Sequence, residues 1–229
     1  MNEKANIGKL FDGIASTYDK FNHVTSMGID IWWRKKAIGQ MQPVNQMLDV
    51  AIGTADVAIT AISKQKAQHV TGIDLSQEMM NIGAVKVEKA GMKDKIDFIL
   101  GSALEMPFED NQFEAVTCAY GIRNFSQLDR GLQEMYRVMK PGGQLVILEF
   151  SYPTNPIIRW CYDLYFSHIM PLLGKLISHD GSAYTYFLNS VKQFIWGEEM
   201  LSHLRNAGFS KAEFKTMTFG VTTLYTATK

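Results

Sequence analysis

The sequence predicts a doubly wound α/β fold with a mostly parallel sheet. Short apolar runs alternate with helical patterns along most of the chain, which is typical of parallel strands joined by right-handed helical crossovers. The apolar run at residues 47–51 is followed by the small residues Gly53, Thr54 and Ala55, and a helical pattern resumes at Asp56. A strand, a turn of small residues and a helix start form the nucleotide-binding layout of this fold class.

Local signals predict the elements that follow. Ser76 is suited to cap a helix that runs to about Ala90, with Gly91 just past its end. The segment KPGG at 140–143 predicts a stop and a turn after a helix over about 128–139. The expected strands are 47–51, 69–74, 96–100, 113–120 and 144–150, and β-type runs at 212–215 and 221–226 predict a hairpin that closes the sheet edge.

A single domain spanning residues 1–229 accommodates these elements. Residues 7–20 have the apolar spacing of an amphipathic helix, the pattern breaks at 22–30, and a second helix follows. Because residues 1–43 precede the first strand, we expect them to form a helical cover over the ligand. Residues 152–205 interrupt the alternation with aromatic-rich helical stretches, which we expect to cover the substrate.

Composition argues against several classes of protein. The 229 residues carry no net charge, whereas a general nucleic-acid binder usually has a basic excess. The five histidines and two cysteines show no metal-ligand spacing, so we expect no metal, and two cysteines make no disulfide framework. The N-terminal stretch lacks the shape of a signal peptide, and no apolar run is long enough to span a bilayer. We therefore expect a cytoplasmic protein.

Asp74 favours an adenosine-containing ligand. This residue closes the second strand, about 20 positions after the glycine turn, where an acidic side chain accepts hydrogen bonds from ribose hydroxyls. The turn alone is a weaker signal, because Gly53 is its single glycine and a packed strand-to-helix corner explains it about as well.

Segments distributed over nearly the whole chain together resemble one enzyme family. They are FDGIA at 11–15, YD at 18–19, WR at 33–34, LDVAIGTAD at 48–56, GID at 72–74, GIRN at 121–124, EMYRV at 134–138, KPGG at 140–143, LEFS at 148–151 and AYTY at 183–186. Many methyltransferases share the KPGG turn, whereas GIRN, LEFS and AYTY are more particular. Through them the chain resembles the menaquinone/ubiquinone-biosynthesis C-methyltransferases.

The resemblance implies a fold, a reaction and two ligands. The fold is the Rossmann-like, seven-stranded sheet of S-adenosylmethionine-dependent methyltransferases, and the methyl donor is S-adenosyl-L-methionine. The reaction is C-methylation of a polyprenylated quinol, most particularly demethylmenaquinol to menaquinol in a menaquinone-only branch. Two alternatives stay open: an S-adenosylmethionine-dependent methyltransferase acting on oxygen or nitrogen of another small molecule, and a non-catalytic cofactor-binding scaffold.

The resemblance also implies a set of cofactor-binding residues. Gly53 and Thr54 would lie against the methionine end of the cofactor, and Asp74 would accept the ribose hydroxyls. Residues after the third strand would face adenine, and simple core packing is the alternative role for Leu75 and Tyr120. The full expected set is Asp49, Gly53, Thr54, Asp74, Leu75, Ser102, Ala103 and Tyr120.

Catalytic candidates lie beyond the fourth strand and in the aromatic insertion. Arg123 would stabilise a substrate phenolate or position a water, and Asn124 would hold that water or the hydroxyl. A structural ion pair is the alternative role for Arg123. Tyr184 and His179 are further candidates, although a surface position is the alternative for His179. Tyr184 and Tyr186 cannot share a helical face, so we expect one to pack and the other to reach the pocket.

Three residues depart from the family pattern around the cofactor. Ala55 stands where the family usually has glycine, Ile52 where it has a small or polar residue, and Ser102 where an acidic or amide residue commonly contacts adenine. We expect the methyl group of Ala55 to narrow the turn or to require a negative φ.

A membrane surface is an expected partner, because a polyprenyl tail comes from the bilayer. The aromatic stretch 157–177 suits a membrane interface, where tyrosine and tryptophan are favoured, and an ordinary pair of core helices is the alternative. We therefore expect transient peripheral contact at the inner face of the membrane and no nucleic-acid partner. A homodimer stays open.

Overall fold

A seven-stranded β-sheet forms the centre of the computed structural model, which describes residues 3–170 and 182–229 and the side chains of 8–170 and 186–229. The strands are β1 (Val44–Val50), β2 (Ala67–Asp74), β3 (Ile96–Leu100), β4 (Phe113–Ala119), β5 (Met139–Phe150), β6 (Ser210–Met217) and β7 (Thr222–Thr228). The helices are α1 (Glu3–Thr25), α2 (Ile29–Gly39), α3 (Asp56–Ser63), α4 (Gln77–Lys89), α5 (Leu128–Val138), α6 (Pro156–Leu164), α7 (Ser182–Gln193) and α8 (Glu198–Asn206). A π-helical turn over Tyr165–Ile169 continues α6, and short 3₁₀ turns cover Lys93–Lys95, Ile122–Asn124 and Thr218–Gly220.

The strand order confirms the predicted fold class. The strands lie in the order β3-β2-β1-β4-β5-β7-β6, with β1 to β5 parallel and β7 antiparallel to both β5 and β6. The order reverses between β1 and β4, so the carboxyl ends of these strands open a crevice of the kind in which doubly wound folds bind ligands. The predicted C-terminal hairpin is present, and β6 forms the sheet edge.

Hydrophobic cores cover both faces of the sheet, because successive strand residues point to opposite sides. Met47 packs in the core that includes α2, α3 and α4, whereas its neighbour Leu48 packs in the core that includes α5 and α8. Cys118 is buried in the second of these cores.

The N-terminal helices differ from the prediction. Helix α1 continues to Thr25, and only residues 26–28 separate it from α2, so the predicted break over 22–30 is wrong for most of its length. The Thr25 hydroxyl donates to the Phe21 carbonyl at 2.7 Å, so this polar residue is accommodated within the last turn of α1. Gly28, at φ 75°, completes the short turn.

The KPGG segment is a second difference. The helix before KPGG ends at Val138, as predicted, but β5 starts at Met139 rather than at Gln144, so KPGG lies inside the strand. The register jumps there, because Phe113 of β4 faces Met139 whereas Ala115 already faces Gln144. The extra residues form an irregularity in the strand, with Gly142 at φ 77°. The glycines of KPGG therefore bend β5 instead of forming a turn before it.

Charged side chains hold α1 and α2 against the rest of the fold. The Lys86 ammonium on α4 binds Asp19 on α1 at 2.7 Å and also binds Asp56 on α3. The Thr54 hydroxyl donates to the other carboxylate oxygen of Asp19 at 2.6 Å. On α2, the buried guanidinium of Arg34 lies 3.4 Å from Asp56. The two N-terminal helices are therefore joined to the turn after β1.

Asp49 is a buried acid in the middle of the sheet. It lies on β1, and the Thr117 hydroxyl on β4 donates to it at 2.6 Å. Burial raises the pKa of Asp49 to about 7, because the interior disfavours the charged carboxylate. The folded protein therefore keeps this proton to a higher pH than the unfolded chain does. Its contribution lowers the stability of the fold as the pH rises from about 4 to about 7.

We expect Asp49→Asn to remove most of this pH dependence, because asparagine keeps the size and the acceptor for Thr117 but does not titrate. Between about pH 5 and about pH 8, the free energy of unfolding should fall less in the variant than in the parent, by an amount on the order of 2–4 kcal/mol. Urea unfolding at both pH values measures it. Asp94→Asn removes an exposed carboxylate and should keep the parental profile. A profile as steep in Asp49→Asn as in the parent would contradict the assignment.

Candidate active site

Two adjoining cavities open at the carboxyl ends of the parallel strands. The larger has a volume of about 460 Å³ and the smaller about 90 Å³. The rings of Phe11, Tyr18 and Tyr120 line both cavities and so form the boundary between them. Because Phe11 and Tyr18 belong to α1, this helix lies over both cavities.

The smaller cavity lies at the predicted cofactor turn. It is built from the residues that follow β1, β2, β3 and β4, together with Gly8 of α1 and Met79 of α4. Helix α1 approaches closely, since a Cβ built on Gly8 would lie 2.9 Å from the Leu75 carbonyl oxygen. The predicted cofactor residues on its lining are Gly53, Asp74, Leu75, Ser102, Ala103 and Tyr120.

Asp74 is positioned by the backbone on either side of it. One carboxylate oxygen accepts the Gly53 N–H at 2.8 Å, and the other accepts the Ser76 N–H at 2.9 Å. Burial raises the pKa of Asp74 and these backbone bonds lower it, with a net rise above the ordinary value. Each carboxylate oxygen has a further lone pair, so the group can still accept two hydroxyl donors. A ribose diol offers such a pair.

Two of the predicted cofactor residues lie behind this lining. Asp49 is enclosed in the sheet, and Thr54 is buried with its hydroxyl bonded to Asp19. Thr54 therefore ties α1 to the turn, and Asp49 supports the turn from within the sheet. On the adenine side, Ser102 accepts the Leu104 N–H at 3.2 Å through its hydroxyl, which keeps a hydrogen to donate.

The structure corrects the expectation for Ala55. Its φ is 65°, in the left-handed region, so the expected negative φ is wrong. Ala55 is fully buried as the residue preceding α3, and neither it nor Ile52 lines the smaller cavity. The methyl group of Ala55 therefore does not narrow the smaller cavity. The methyl group points into the core, where it packs with α3.

The larger cavity is mostly apolar. Helix α1, helix α2, the α6 region, α7 and the turn at Thr218–Gly220 all contribute to its wall. Both the N-terminal helices and the aromatic insertion therefore line one space. Its aromatic lining comprises Phe11, Tyr18, Phe21, Trp33, Tyr120, Phe150, Tyr162, Tyr165, Phe166, Tyr186, Phe187 and Phe219.

Arg123 lines the larger cavity and is also part of a buried ion pair. Its Nη1 lies 2.7 Å from the Glu149 carboxylate and donates to the Tyr120 carbonyl at 2.5 Å, and its Nε donates to the Ser190 hydroxyl at 3.3 Å. Its guanidinium carbon lies 5.2 Å from the centre of the Phe187 ring. Burial lowers the pKa of Arg123, but the Glu149 charge holds it above its ordinary value overall. Arg123 is therefore permanently charged, and it pairs with Glu149 while also lining the larger cavity.

Asn124 and Tyr186 connect the two cavities. Asn124 lines the smaller cavity and Tyr186 the larger, and the Tyr186 hydroxyl donates to the Asn124 side-chain oxygen at 2.8 Å. Tyr186 of the AYTY segment therefore reaches the larger cavity. The side chains of the other two candidates, Tyr184 and His179, lie outside the described residues.

Several lining residues were absent from the predicted site. Phe150 lines the larger cavity, and Tyr120 stacks on it at a centroid distance of 4.5 Å. Phe150 lies within the resembling segment LEFS, so the resemblance contained it without assigning it a role. Phe219 lies outside those segments, and only the folded chain brings it to the cavity.

The smaller cavity fits S-adenosylmethionine. It offers a carboxylate for a ribose diol, the backbone of a small-residue turn, and the apolar side chains of Leu75, Met79 and Leu104 for a flat ring. Together with the order of strands, this donor set defines an S-adenosylmethionine-dependent methyltransferase. The chain belongs to the ubiE/COQ5 methyltransferase family, whose model matches residues 1–229.

Similar proteins agree with this assignment. A demethylmenaquinone methyltransferase of Bacteroides fragilis is 46% identical over 225 residues, covering 97% of this chain and 92% of its own length. One from Porphyromonas gingivalis is 40% identical over 223 residues, covering 96% and 91%. In fold, the chain is similar to an S-adenosylmethionine-dependent methyltransferase of Thermotoga maritima, with a TM-score of 0.68, 17% identity, and coverage of 97% of this chain and 99% of that one.

We expect Asp74→Ala to weaken S-adenosylmethionine binding by about tenfold or more, because hydrogen bonds to a charged group contribute roughly 1.5–3 kcal/mol. Isothermal titration calorimetry measures the dissociation constant. Asp97→Ala, which removes an exposed carboxylate from the neighbouring β3, is the matched control and should bind as the parent does. Unchanged affinity in Asp74→Ala would remove this residue from the cofactor site.

Ala55→Gly should keep the cofactor affinity or raise it a few-fold, because glycine adopts a φ of 65° without the crowding of a Cβ. Ala55→Val should lower it, since a β-branched residue at positive φ is strongly strained. The same titration measures both variants. A large fall in affinity for Ala55→Gly would show that the buried methyl group is needed to hold the turn.

Proposed function

We propose that this protein transfers a methyl group from S-adenosylmethionine to a ring carbon of a polyprenylated quinol, converting demethylmenaquinol to menaquinol. The observation that carries the proposal is the junction at Phe11, Tyr18 and Tyr120, where a cleft suited to the cofactor meets an aromatic-lined cavity of about 460 Å³. The names of the relatives from Bacteroides fragilis and Porphyromonas gingivalis support the choice of substrate.

The chemistry requires an electron-rich ring carbon at this junction. S-adenosylmethionine supplies, when bound, an electrophilic methyl group on a sulfonium centre. A neutral quinol carbon is a weak nucleophile, and ionisation of the adjacent hydroxyl raises the electron density on it. The protein must therefore favour the phenolate and hold the ring against the boundary between the cavities. A methyl group then replaces the ring hydrogen, which leaves as a proton.

Arg123 is suited to stabilise the phenolate. Arginine stays protonated in proteins, so it acts as a fixed positive charge and not as a base. Glu149, Tyr120 and Ser190 bind its Nη1 and Nε, which leaves Nη2 outside these contacts. A guanidinium set among aromatic rings and shielded from water acts strongly on a nearby oxyanion. The ion pair with Glu149 positions this charge.

Asn124 is suited to bind the quinol hydroxyl or a water that removes the proton. Its side-chain oxygen accepts the Tyr186 hydroxyl, and its amide nitrogen, which donates to none of the described residues, can donate to a bound hydroxyl or water. Tyr186 lines the larger cavity, so a substrate in that cavity would contact the residue that orients Asn124. The roles of Tyr184 and His179 remain predictions of the sequence.

The reduced substrate should be required. A quinone ring carbon is electron-poor, whereas the quinol can form a phenolate, so we expect methylation of a short-chain demethylmenaquinol under reducing conditions and little of the quinone. The measurement is mass spectrometry of the product after incubation with isotopically labelled S-adenosylmethionine. A new ring C–CH₃ supports the proposal, whereas an ether or an amine would favour an O- or N-methyltransferase. Cofactor binding without turnover of any quinol would favour a scaffold.

We expect Arg123→Lys to lower kcat for the quinol by about tenfold or more while leaving S-adenosylmethionine affinity near parental, because an ammonium cannot reproduce the planar fork. Arg123→Leu is a poor test, since it leaves the Glu149 carboxylate buried and unpaired, at a cost of about 3–5 kcal/mol in stability. The pair Arg123→Met with Glu149→Gln removes both charges and is the fairer control for folding. Parental kcat in Arg123→Lys would contradict the role.

The place of action that we propose is the cytoplasmic side of the membrane, with the protein bound peripherally. Support comes from the substrate, whose polyprenyl tail resides in the bilayer, and from the apolar character of the cavity. Within residues 3–170 and 182–229, no helix combines the length and the apolar character needed to cross a bilayer.

A further inference from the structure

The most exposed apolar side chains lie at the mouth of the larger cavity. Met27 and Phe219 are 79% and 80% exposed, and both also line the cavity. Each has a positive φ, 52° and 58°, which bulky residues seldom adopt and which is often retained at functional sites. Two separate loop tips thus present a large apolar group beside the same opening.

Helix α6 adds a second apolar surface to this opening. Ile157, Trp160 and Leu164 recur at helical spacing, and the first two are 72% and 65% exposed. Its other side, through Ile158 and Tyr162, lines the cavity. Arg159 and Asp163 form the polar side of α6, so its apolar face is wider than the part that lines the cavity, and Ile157 and Trp160 are left exposed.

Hydrogen bonds hold together the elements that carry these groups. The Tyr165 hydroxyl, just after α6, donates to the Thr25 carbonyl at the end of α1 at 2.6 Å. The Trp33 indole on α2 donates to the Thr218 hydroxyl beside Phe219 at 2.8 Å. We call this surface the apolar rim; it comprises Val24, Met27, Ile31, Trp32, Ile157, Trp160, Leu164 and Phe219.

Basic groups lie one helical turn away from the apolar rim. On the exposed face of α2, Lys35 and Lys36 follow Ile31 and Trp32, and the Lys36 ammonium lies 5.7 Å from the Trp32 ring. On α1, exposed Lys20 precedes Val24 by four residues. Apolar and aromatic groups flanked by lysines are typical of surfaces that rest at the boundary between acyl chains and anionic head groups.

The acidic side chains of α2 and α6 are paired with basic groups and do not oppose this charge. Asp30 on α2 is buried against Arg34 at 2.8 Å, and Asp163 on α6 binds Lys192 at 2.9 Å. We infer that the apolar rim docks on an anionic lipid bilayer and opens the larger cavity directly toward the acyl chains. This inference rests on the proposed function, because a polyprenyl tail would enter by that opening.

Vesicle binding tests the inference without cofactor or quinol. The variant is Trp32→Gln with Ile157→Gln and Trp160→Gln, three exposed residues that do not line either cavity. Sedimentation with vesicles of phosphatidylethanolamine and phosphatidylglycerol should show parental binding, reduced by about tenfold or more in the variant. The matched pair Ile157→Gln and Val85→Gln compares two exposed β-branched residues on helices, and only the first should weaken binding.

The outcomes separate this inference from the proposed function. Equal binding of parent and triple variant overturns the docking surface, and so does equal loss in Val85→Gln. Equal binding to phosphatidylcholine vesicles overturns the role of the lysines. No vesicle binding, with a parental dimer that the triple variant loses in light scattering, assigns the rim to a second copy of the chain. All variants should methylate a short-chain quinol as the parent does; if the parent does not, the proposed function fails while the vesicle result stands.

Discussion

The buried ion pair between Arg123 and Glu149 is the contact on which the substrate side of the molecule depends. The Glu149 carboxylate accepts both the Arg123 guanidinium at 2.7 Å and the Arg123 backbone N–H at 3.2 Å. It therefore fixes the loop after β4 to the end of β5. That loop carries Tyr120 and Asn124 at the boundary between the two cavities. The charge that we expect to act on the substrate is thus also the one that shapes the wall, and activity and local stability cannot be separated by removing one partner alone.

A second set of charges joins the cofactor side to the cover. Asp19 of α1 accepts the Thr54 hydroxyl from the turn after β1, and Lys86 of α4 binds the same carboxylate. Helix α1 also supplies Phe11 and Tyr18 to both cavities. A displacement of α1 would therefore alter the cofactor turn and the substrate cavity together. The two cavities therefore share one wall, which α1 forms.

Sequence reasoning succeeded where a local signal sets the structure. Asp74 at a strand end and Gly53 in a turn are encoded by their neighbours, and both line the expected cavity. It failed where residues far apart in the sequence determine the local conformation. The left-handed φ of Ala55 and the contact between Tyr186 and Asn124, 62 residues apart, depend on how the helices pack onto the sheet. The strand bulge at KPGG likewise follows from pairing with β4, which no local pattern encodes.

Two glycines near the turn after β1 leave room for the side chains of Ile52 and Ala51. A Cβ built on Gly72 would lie 2.0 Å from Cδ1 of Ile52, so the bulk of Ile52 occupies the space that a side chain on β2 would need. In the same way, a Cβ on Gly121 would lie 2.5 Å from the Cβ of Ala51. The side chain of Ile52 thus fills space inside the fold, whereas Gly53, at φ 54°, lines the smaller cavity. A substitution at Gly72 should therefore disturb the cofactor turn through Ile52, although Gly72 itself touches no ligand-facing surface.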